Sequence, residues 1–512
     1  MSAAAGIVRP MNERLEELRT LAGEIDDLER SAYLLTWDEE THMPPGGAKA
    51  RSEQKATLHR LAHERWTSKR LAELLEQLEP LEQELDPASD EASLVRVMRR
   101  DSEKARRVPA DLHADLVRAG TLGFQTWLEA RAANDYGVIE PHLERTLELR
   151  RRYVECFAPY DDPYDPLLDD YEPGMKTRDV DPVFDQLKSA LAPMIRAMQD
   201  APAVDAGCLQ GEFPVEAQRR FALWLIGRWG YDDHSWTLDR AVHPFEIAFA
   251  PTDVRLTARF EPDHLGGIMA CLHEFGHGLY ERQVSPTLLR TPLCQGVSAA
   301  LHESQSRLWE NLVGRRLSTW RFAYPRLQQE LPEQFGHVPL EAFYRAINKV
   351  QPSLIRVEAD EVTYNLHIIL RYELERELLA GTLAVADLSE AFDAKMEEYL
   401  GLTPPDAVHG VLQDMHWADF GFGYFPTYAL GNVVSVQMWE RAEAELGELD
   451  EQFERGDFGA LAGWLGETLH SHGRKFSARE TLELAAGGPL DPGPYIAYLG
   501  RKLADLFGAA VG

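Results

Sequence analysis

A chain of 512 residues is long enough to bury a large core and by length alone has room for roughly two to four domains. Its 44% hydrophobic and 27% charged residues are ordinary for a globular protein, and its formal net charge of -31 disfavours nucleic acid and anionic membranes as partners. The same field repels a substrate that carries a carboxylate, so recognising one requires arginines that build a local positive pocket.

No apolar run approaches the roughly 20 residues that span a bilayer. The segment Met1 to Arg9 is too short and too weakly apolar for a signal peptide. The four cysteines, Cys156, Cys208, Cys271 and Cys294, have no C-x-x-C spacing, which points to a reducing, cytoplasmic setting.

Most of the chain reads as helix. Leu15, Leu18, Ala22, Ile25 and Leu28 recur at three- and four-residue steps, the pattern of an amphipathic helix. A second helical stretch is expected over Leu58 to Leu78, with the Pro-Pro-Gly-Gly run at 44–47 separating the two. Glu82 to Glu91 is polar and reads as a surface loop, and 158–175, dense in Pro, Asp and Tyr, as an ordered loop. There is no tandem repeat and no clean linker, so 1–512 is expected to form one large helical domain, with an N-terminal helical portion (1–80) packed on the remainder.

One segment departs from helical periodicity. Phe245, Ile247 and Phe249, then Val254, Leu256 and Phe260, alternate at period two, and Pro251 offers a turn between two short strands. Asp253, Arg255 and Thr257 then share the opposite face of the second strand. An extended peptide can add to the edge of such a sheet.

Residues 273–277 read His273-Glu274-Phe275-Gly276-His277, an H-E-x-x-H run. On a helix the two imidazoles lie on one face and can grip one metal ion, and Glu274 beside them can polarise a water. Gly266-Gly267 can start this helix, and Ile268, Leu272, Phe275 and Leu279 form an apolar stripe roughly opposite the histidines. A catalytic zinc site with two histidines takes a third protein ligand, commonly a carboxylate, and keeps one position open. Glu303, on a helix expected to begin near Ser298, heads the candidates. Glu281, one turn on from His277, and Glu310 are the others, with Glu281 read more simply as a solvated acid.

Six ordered motifs then resemble the carboxypeptidase Taq family of metallocarboxypeptidases: His243-Pro244-Phe245, Asp253-Val254-Arg255-Leu256-Thr257, the H-E-x-x-H helix, His302-Glu303-Ser304-Gln305, Ile355-Arg356-Val357-Glu358-Ala359-Asp360, and the run from Gly410 to Trp417. Leu35-Thr36-Trp37-Asp38 and Met43-Pro44 resemble the family's N-terminal region. The resemblance implies a mainly α fold with a deep cleft and a small β-sheet beside the H-E-x-x-H helix. It makes His273, His277 and Glu303 the metal ligands and Glu274 the catalytic acid/base, with zinc or sometimes cobalt as the metal, in what is commonly a homodimer. One departure is Phe420, where the family usually has a glycine.

The expected reaction is release of C-terminal amino acids from peptides by attack of a metal-activated water, with Glu274 as general acid/base. His416 and Tyr424 are candidates for holding the oxyanion, against a plain packing role in an aromatic stretch. Arg255 and Arg356 are candidates for the terminal carboxylate of the substrate. The simpler reading of Arg356 is an ion pair with Asp360, four residues on along a helix, whose face Tyr364, His367 and Arg371 continue. His243 is expected to shape a turn, and His302 to support a ligand or pack rather than bind metal. A zinc oligopeptidase or aminopeptidase of the H-E-x-x-H plus Glu type is the alternative function, and a non-enzymatic metal scaffold is disfavoured because it needs no Glu274.

Overall fold

The structure, a computed structural model, describes residues 3–201, 203–418 and 421–508. Phe420 therefore lies outside the described residues. The chain is mainly α-helical with one three-stranded sheet, as expected for its fold class. The first helices are α1 (Ala3–Thr41), α2 (Ala48–Trp66), α3 (Lys69–Glu84), α4 (Asp90–Arg107) and α5 (Ala110–Ala133).

In α1 the expected stripe is the buried one: Leu15, Leu18, Ala22 and Ile25 all lie in the core. The helix expected over Leu58 to Leu78 is instead two. The chain breaks at Thr67-Ser68, where the Ser68 side chain accepts a hydrogen bond from Leu71 N and so starts α3 as its N-cap. The polar loop before α4 is shorter than expected, because α3 runs to Glu84 and Ser89 caps Asp90–Arg107. The Pro- and Asp-rich stretch at 158–175 contains a short helix, Asp165–Leu168. The N-terminal helices are tied to the rest of the chain by Arg30 on α1, which donates to Ala248 O and Cys294 O, each at 2.7 Å.

The sheet comprises β1 (Trp236–Arg240), β2 (Glu246–Ala250) and β3 (Asp253–Ala258) in the order β1-β3-β2. The β2–β3 hairpin was legible as alternation, whereas β1, parallel to β3, was not. Val254 and Leu256 are fully buried and point to the H-E-x-x-H helix, and Arg255 stands on the other face. Thr257 clips the hairpin shut: its hydroxyl accepts from Phe245 N at 2.7 Å and donates to Phe245 O at 3.0 Å.

Four further helices carry the site: α6 (Gly266–Gln283), α7 (Ala299–Arg307), α8 (Tyr364–Ala380) and α9 (Pro426–Leu446). On α6, Ile268, Leu272, Phe275 and Leu279 are all buried, as their spacing requires. Gly267 lets the start of α6 approach β3, since a Cβ there would sit 2.8 Å from Phe260 Cα. Ser298 caps α7 by accepting from Leu301 N. After Arg307 the helix continues through a wider π-helical segment, Leu308–Val313, whose changed pitch alters the direction in which Glu310 projects.

Candidate metal centre

His273 and His277 leave α6 on one face, with ring centroids 4.9 Å apart and planes at 79°. Glu303, on α7 and only 3% exposed, faces both. Its Oε2 lies 3.8 Å from His273 Nε2 and 3.4 Å from His277 Nε2. Ligand atoms of these three residues lie within 4.8 Å of one another, the one such His/Cys/Asp/Glu group among the described residues.

Glu303 reaches this point because α6, α7 and α9 pack unusually closely. A Cβ on Gly276 would strike Gln305 O and come within 2.6 Å of Ser306 Cα. A Cβ on Gly431 of α9 would lie 2.7 Å from Glu303 Cβ and Cγ. Glycine is needed at both places because neighbouring backbone or the Glu303 side chain occupies the space.

The far side of each candidate ligand is already held. His273 Nδ1 lies 3.0 Å from Glu310 Oε2, so Nδ1–H donates to the carboxylate and the Nε2 lone pair is left facing Glu303. His277 Nδ1 lies 2.5 Å from His302 Nδ1, and His302 Nε2 lies 3.0 Å from Glu281 Oε1. With one proton per ring, His302 donates to Glu281 and accepts from His277, which again leaves His277 Nε2 free. The other oxygen of Glu303, Oε1, accepts from Arg307 Nε at 2.7 Å. Two free imidazole nitrogens and one carboxylate oxygen, all converging, fit a borderline divalent cation with one position left open.

The electrostatics agree. Burial pushes the Glu303 carboxyl up, but Arg307, followed by His273, outweighs it and holds the group well below the usual range, hence ionised. Burial pushes His277 down to about 3, so its ring is neutral. Glu310 faces the same burial but is held at about 2 by its bond to His273 and by Arg307. Glu274, also buried, is pushed up to about 7 by burial, with Glu303 and Glu310 adding to the effect and His273 opposing it. No hydrogen bond from a described residue engages its carboxylate.

Three roles differ from what local spacing suggested. Glu281 is not a solvated acid. It is buried, accepts from Gly296 N at 2.8 Å and anchors His302. Glu310 supports His273 rather than facing the shared point. His302, expected to support a ligand or pack, does both, because Tyr280 stacks on its ring at 5.3 Å.

The expected Arg356–Asp360 ion pair does not form. Arg356–Glu358 is a single 3₁₀ turn and α8 begins only at Tyr364, so the two residues do not share a helix face. Asp360 instead accepts from Val362 N, Thr363 N and Thr363 Oγ1 and shapes the entry to α8. Arg356 pairs with Asp414 Oδ1 through Nε (3.0 Å) and Nη2 (2.8 Å) and donates to Tyr364 Oη at 2.9 Å. Arg371 donates to Asp414 Oδ2 at 2.7 Å, and its buried Nη2 has no partner. His243 Nδ1 lies 2.9 Å from Pro244 O, in keeping with the expected turn, and its ring feels the charges of Arg356, Asp414 and His273.

Arg255 sits elsewhere, on β3. It pairs with Asp253 (2.9 and 3.1 Å) and is sandwiched between Trp37 and Phe249, 4.3 and 4.8 Å from their ring centroids. His416 Nε2 lies 3.2 Å from Tyr428 Oη, and Tyr424 stacks on His416 at 5.7 Å. Both tyrosines feel the charge of Glu303. Tyr428 links this chain, and nothing in local periodicity set it apart from its aromatic neighbours.

Comparison with known proteins gives a consistent result. Residues 17–503 match the family model described as carboxypeptidase Taq (M32) metallopeptidase. The thermostable carboxypeptidase 1 of Thermus thermophilus is 44% identical over 488 residues, covering 93% of this chain and 95% of that protein. The thermostable carboxypeptidase 1 of Pyrococcus furiosus is 34% identical, covering 96% and 98%. The crystal structure of the M32 carboxypeptidase from Deinococcus radiodurans superposes with a TM-score of 0.92 at 40% identity, over 97% of this chain and 100% of that one. With six motifs in order, a converging two-histidine, one-glutamate centre and near full-length relatives, this chain belongs to the carboxypeptidase Taq (M32) family of metallopeptidases and is a metallocarboxypeptidase.

Proposed function

We propose that this enzyme releases C-terminal amino acids from peptides with a free C-terminus, with His273, His277 and Glu303 holding a divalent cation and Glu274 acting as general acid/base. Zinc is the first choice of metal and cobalt the second. One observation carries the reading: two ring nitrogens and one carboxylate oxygen converge with their outer sides engaged, while Glu274 beside them is unengaged. A cation held there supplies Lewis acidity, which draws the pKa of a water toward about 7 and polarises the peptide carbonyl.

The rest falls to the protein. Glu274 takes a proton from the attacking water on its carboxylate and passes it to the leaving amine nitrogen. A carboxyl pushed up to about 7 suits that double duty near neutrality. Tyr424, which feels the charge of Glu303, and His416, stacked on Tyr424, are the proposed hydrogen-bond donors to the developing oxyanion. Arg356 and Arg371 share one carboxylate, Asp414, so the cluster keeps a net positive charge. That local charge supports Arg356 as the receptor for the terminal carboxylate, against the field of a chain carrying -31. Arg255 is the second candidate. A homodimer in the cytoplasm completes the proposal, and no helix among the described residues is long and apolar enough to cross a membrane.

The test is a pair of peptides that differ only in amidation of the C-terminus. Cleavage of the free acid but not the amide is expected. Equal cleavage of both would sink the carboxypeptidase reading, and dependence on a free N-terminal amine would favour an aminopeptidase.

A further inference from the structure

We propose, on the reading of His416 and Tyr424 as oxyanion donors, that Glu375 of α8 is a positioning residue for the reaction. Its one carboxylate anchors the chain beside His416 and again beside Tyr424, and so sets where both side chains point.

Glu375 is fully buried. Its Oε1 accepts from Trp417 Nε1 at 2.8 Å, and Trp417 follows His416 in the chain. Its Oε2 accepts from Gly423 N at 3.0 Å, and Gly423 precedes Tyr424. The same oxygen accepts from Tyr164 Oη at 2.5 Å, which ties the carboxylate to the 158–175 stretch as well. Burial pushes the carboxyl up to about 7 against the pull of these bonds. All three partners donate, the arrangement that an ionised carboxylate satisfies.

Among the described residues, His416 makes one side-chain hydrogen bond, between Nε2 and Tyr428 Oη at 3.2 Å, while its buried Nδ1 has no partner. The orientation of the ring therefore leans on packing and on the backbone to either side. Asp414, two residues before, is held by Arg356 and Arg371. Trp417, one residue after, is held by Glu375. Arg371 and Glu375 stand one helical turn apart on α8, so one helix face grips the chain on both sides of His416. Through Gly423 the same carboxylate grips the chain at Tyr424, whose ring stacks on His416 at 5.7 Å. Oxyanion stabilisation depends on donors held in place beforehand, and a misplacement of about 1 Å can cost about 100-fold in rate.

The test is kinetic. Glu375→Gln keeps the shape of the side chain but replaces one acceptor oxygen by an amide nitrogen, so a donor loses its partner whichever way the amide turns. A fall in kcat of about 10- to 100-fold is expected, with KM and metal content within about twofold of the parent. Trp417→Phe is the second variant, in case the first does not fold. It keeps an aromatic ring, leaves Glu375 in place and opens only the anchor beside His416, and its kcat is expected to fall at unchanged KM. A double-mutant cycle separates positioning from packing. In a chain that carries His416→Ala and Tyr424→Phe, Glu375→Gln is expected to change kcat by less than about twofold, because nothing is left to position. An equal loss in both backgrounds marks a general effect on the fold and overturns the proposal. Parent-like kcat in Glu375→Gln, or in Trp417→Phe should the former not fold, overturns it alone when His416→Ala or Tyr424→Phe loses activity. Parent-like kcat in the His416 and Tyr424 variants themselves removes the oxyanion reading and the positioning role with it.

Discussion

Glu310 Oε2 accepts from His273 Nδ1 at 3.0 Å while also receiving Arg307 Nη1 at 3.2 Å, and Arg307 Nε holds Glu303 Oε1 at 2.7 Å. One guanidinium, itself lying 4.3 Å from the Tyr364 ring centroid, thus locks a carboxylate ligand candidate to the residue that orients an imidazole ligand candidate. The position of each depends on the other. Replacing Glu310 by Ala is expected to free the His273 tautomer and weaken metal binding by about 10- to 100-fold, measured by competition with a chelator. Unchanged affinity would mean that the bond is incidental.

Glu274→Gln keeps the shape and burial of the side chain but cannot take a proton. Metal content is expected to stay at the parent level while kcat falls by about 100- to 10,000-fold. Full activity with metal bound would refute Glu274 as the acid/base.

Arg356→Ala is expected to lower kcat/KM on free-acid peptides by about 10- to 100-fold, the worth of a charged hydrogen-bonded contact, with metal retained. Arg255→Ala, made in parallel, ranks the two arginines. Parent-like kinetics in both variants would remove arginine recognition of the chain end from these positions. Asp414→Asn probes the same cluster through stability, because it leaves two buried guanidiniums without a counter-charge. A loss of about 3–5 kcal/mol in chemical denaturation is expected.

Glu172 gives a pH signature. This fully buried carboxylate accepts from Ala300 N at the start of α7, the helix that carries Glu303, and burial still pushes it up to about 8 despite that bond. A folded pKa above the unfolded value of 4.5 means that the folded state holds the proton more tightly. Its contribution is therefore fully present below about 4.5 and is lost as pH rises through about 8. Glu172→Gln is expected to flatten the fall in Tm over that window, an effect on the order of a few kcal/mol. An unchanged pH–Tm curve would show that the group is ionised throughout.

Gly276, one of the two unspecified positions of the H-E-x-x-H run, faces the backbone of α7. Gly276→Ala is expected to cost about 1–3 kcal/mol in stability, since rigid backbone rather than a flexible side chain occupies the space. Metal affinity should fall with it, because α6 and α7 must part for the methyl group to fit.

The sequence by itself determined what depends on neighbours within a few residues. The helical period of α1 and α6, the alternation of β2 and β3, the shared face of His273 and His277, and Ser298 as the start of α7 are set by backbone geometry and local hydrogen bonds, which three- and four-residue spacings reveal. Glu303 was nameable because few carboxylates follow the pair closely, but spacing could not separate it from Glu281 and Glu310. Only the tertiary structure assigned those three acids, by packing α6 against α7 through Gly276 and by the π-helical segment that redirects Glu310. Packing likewise gave Arg356 to Asp414, a residue 58 positions away, and released Asp360 to shape the entry to α8. It also added β1, whose pairing with β3 has no local signature. The physical reason is the same in each case: contacts between residues distant in sequence are decided by how close two elements can approach. That distance depends on the side chains of both, and the periodicity of either one alone does not contain it.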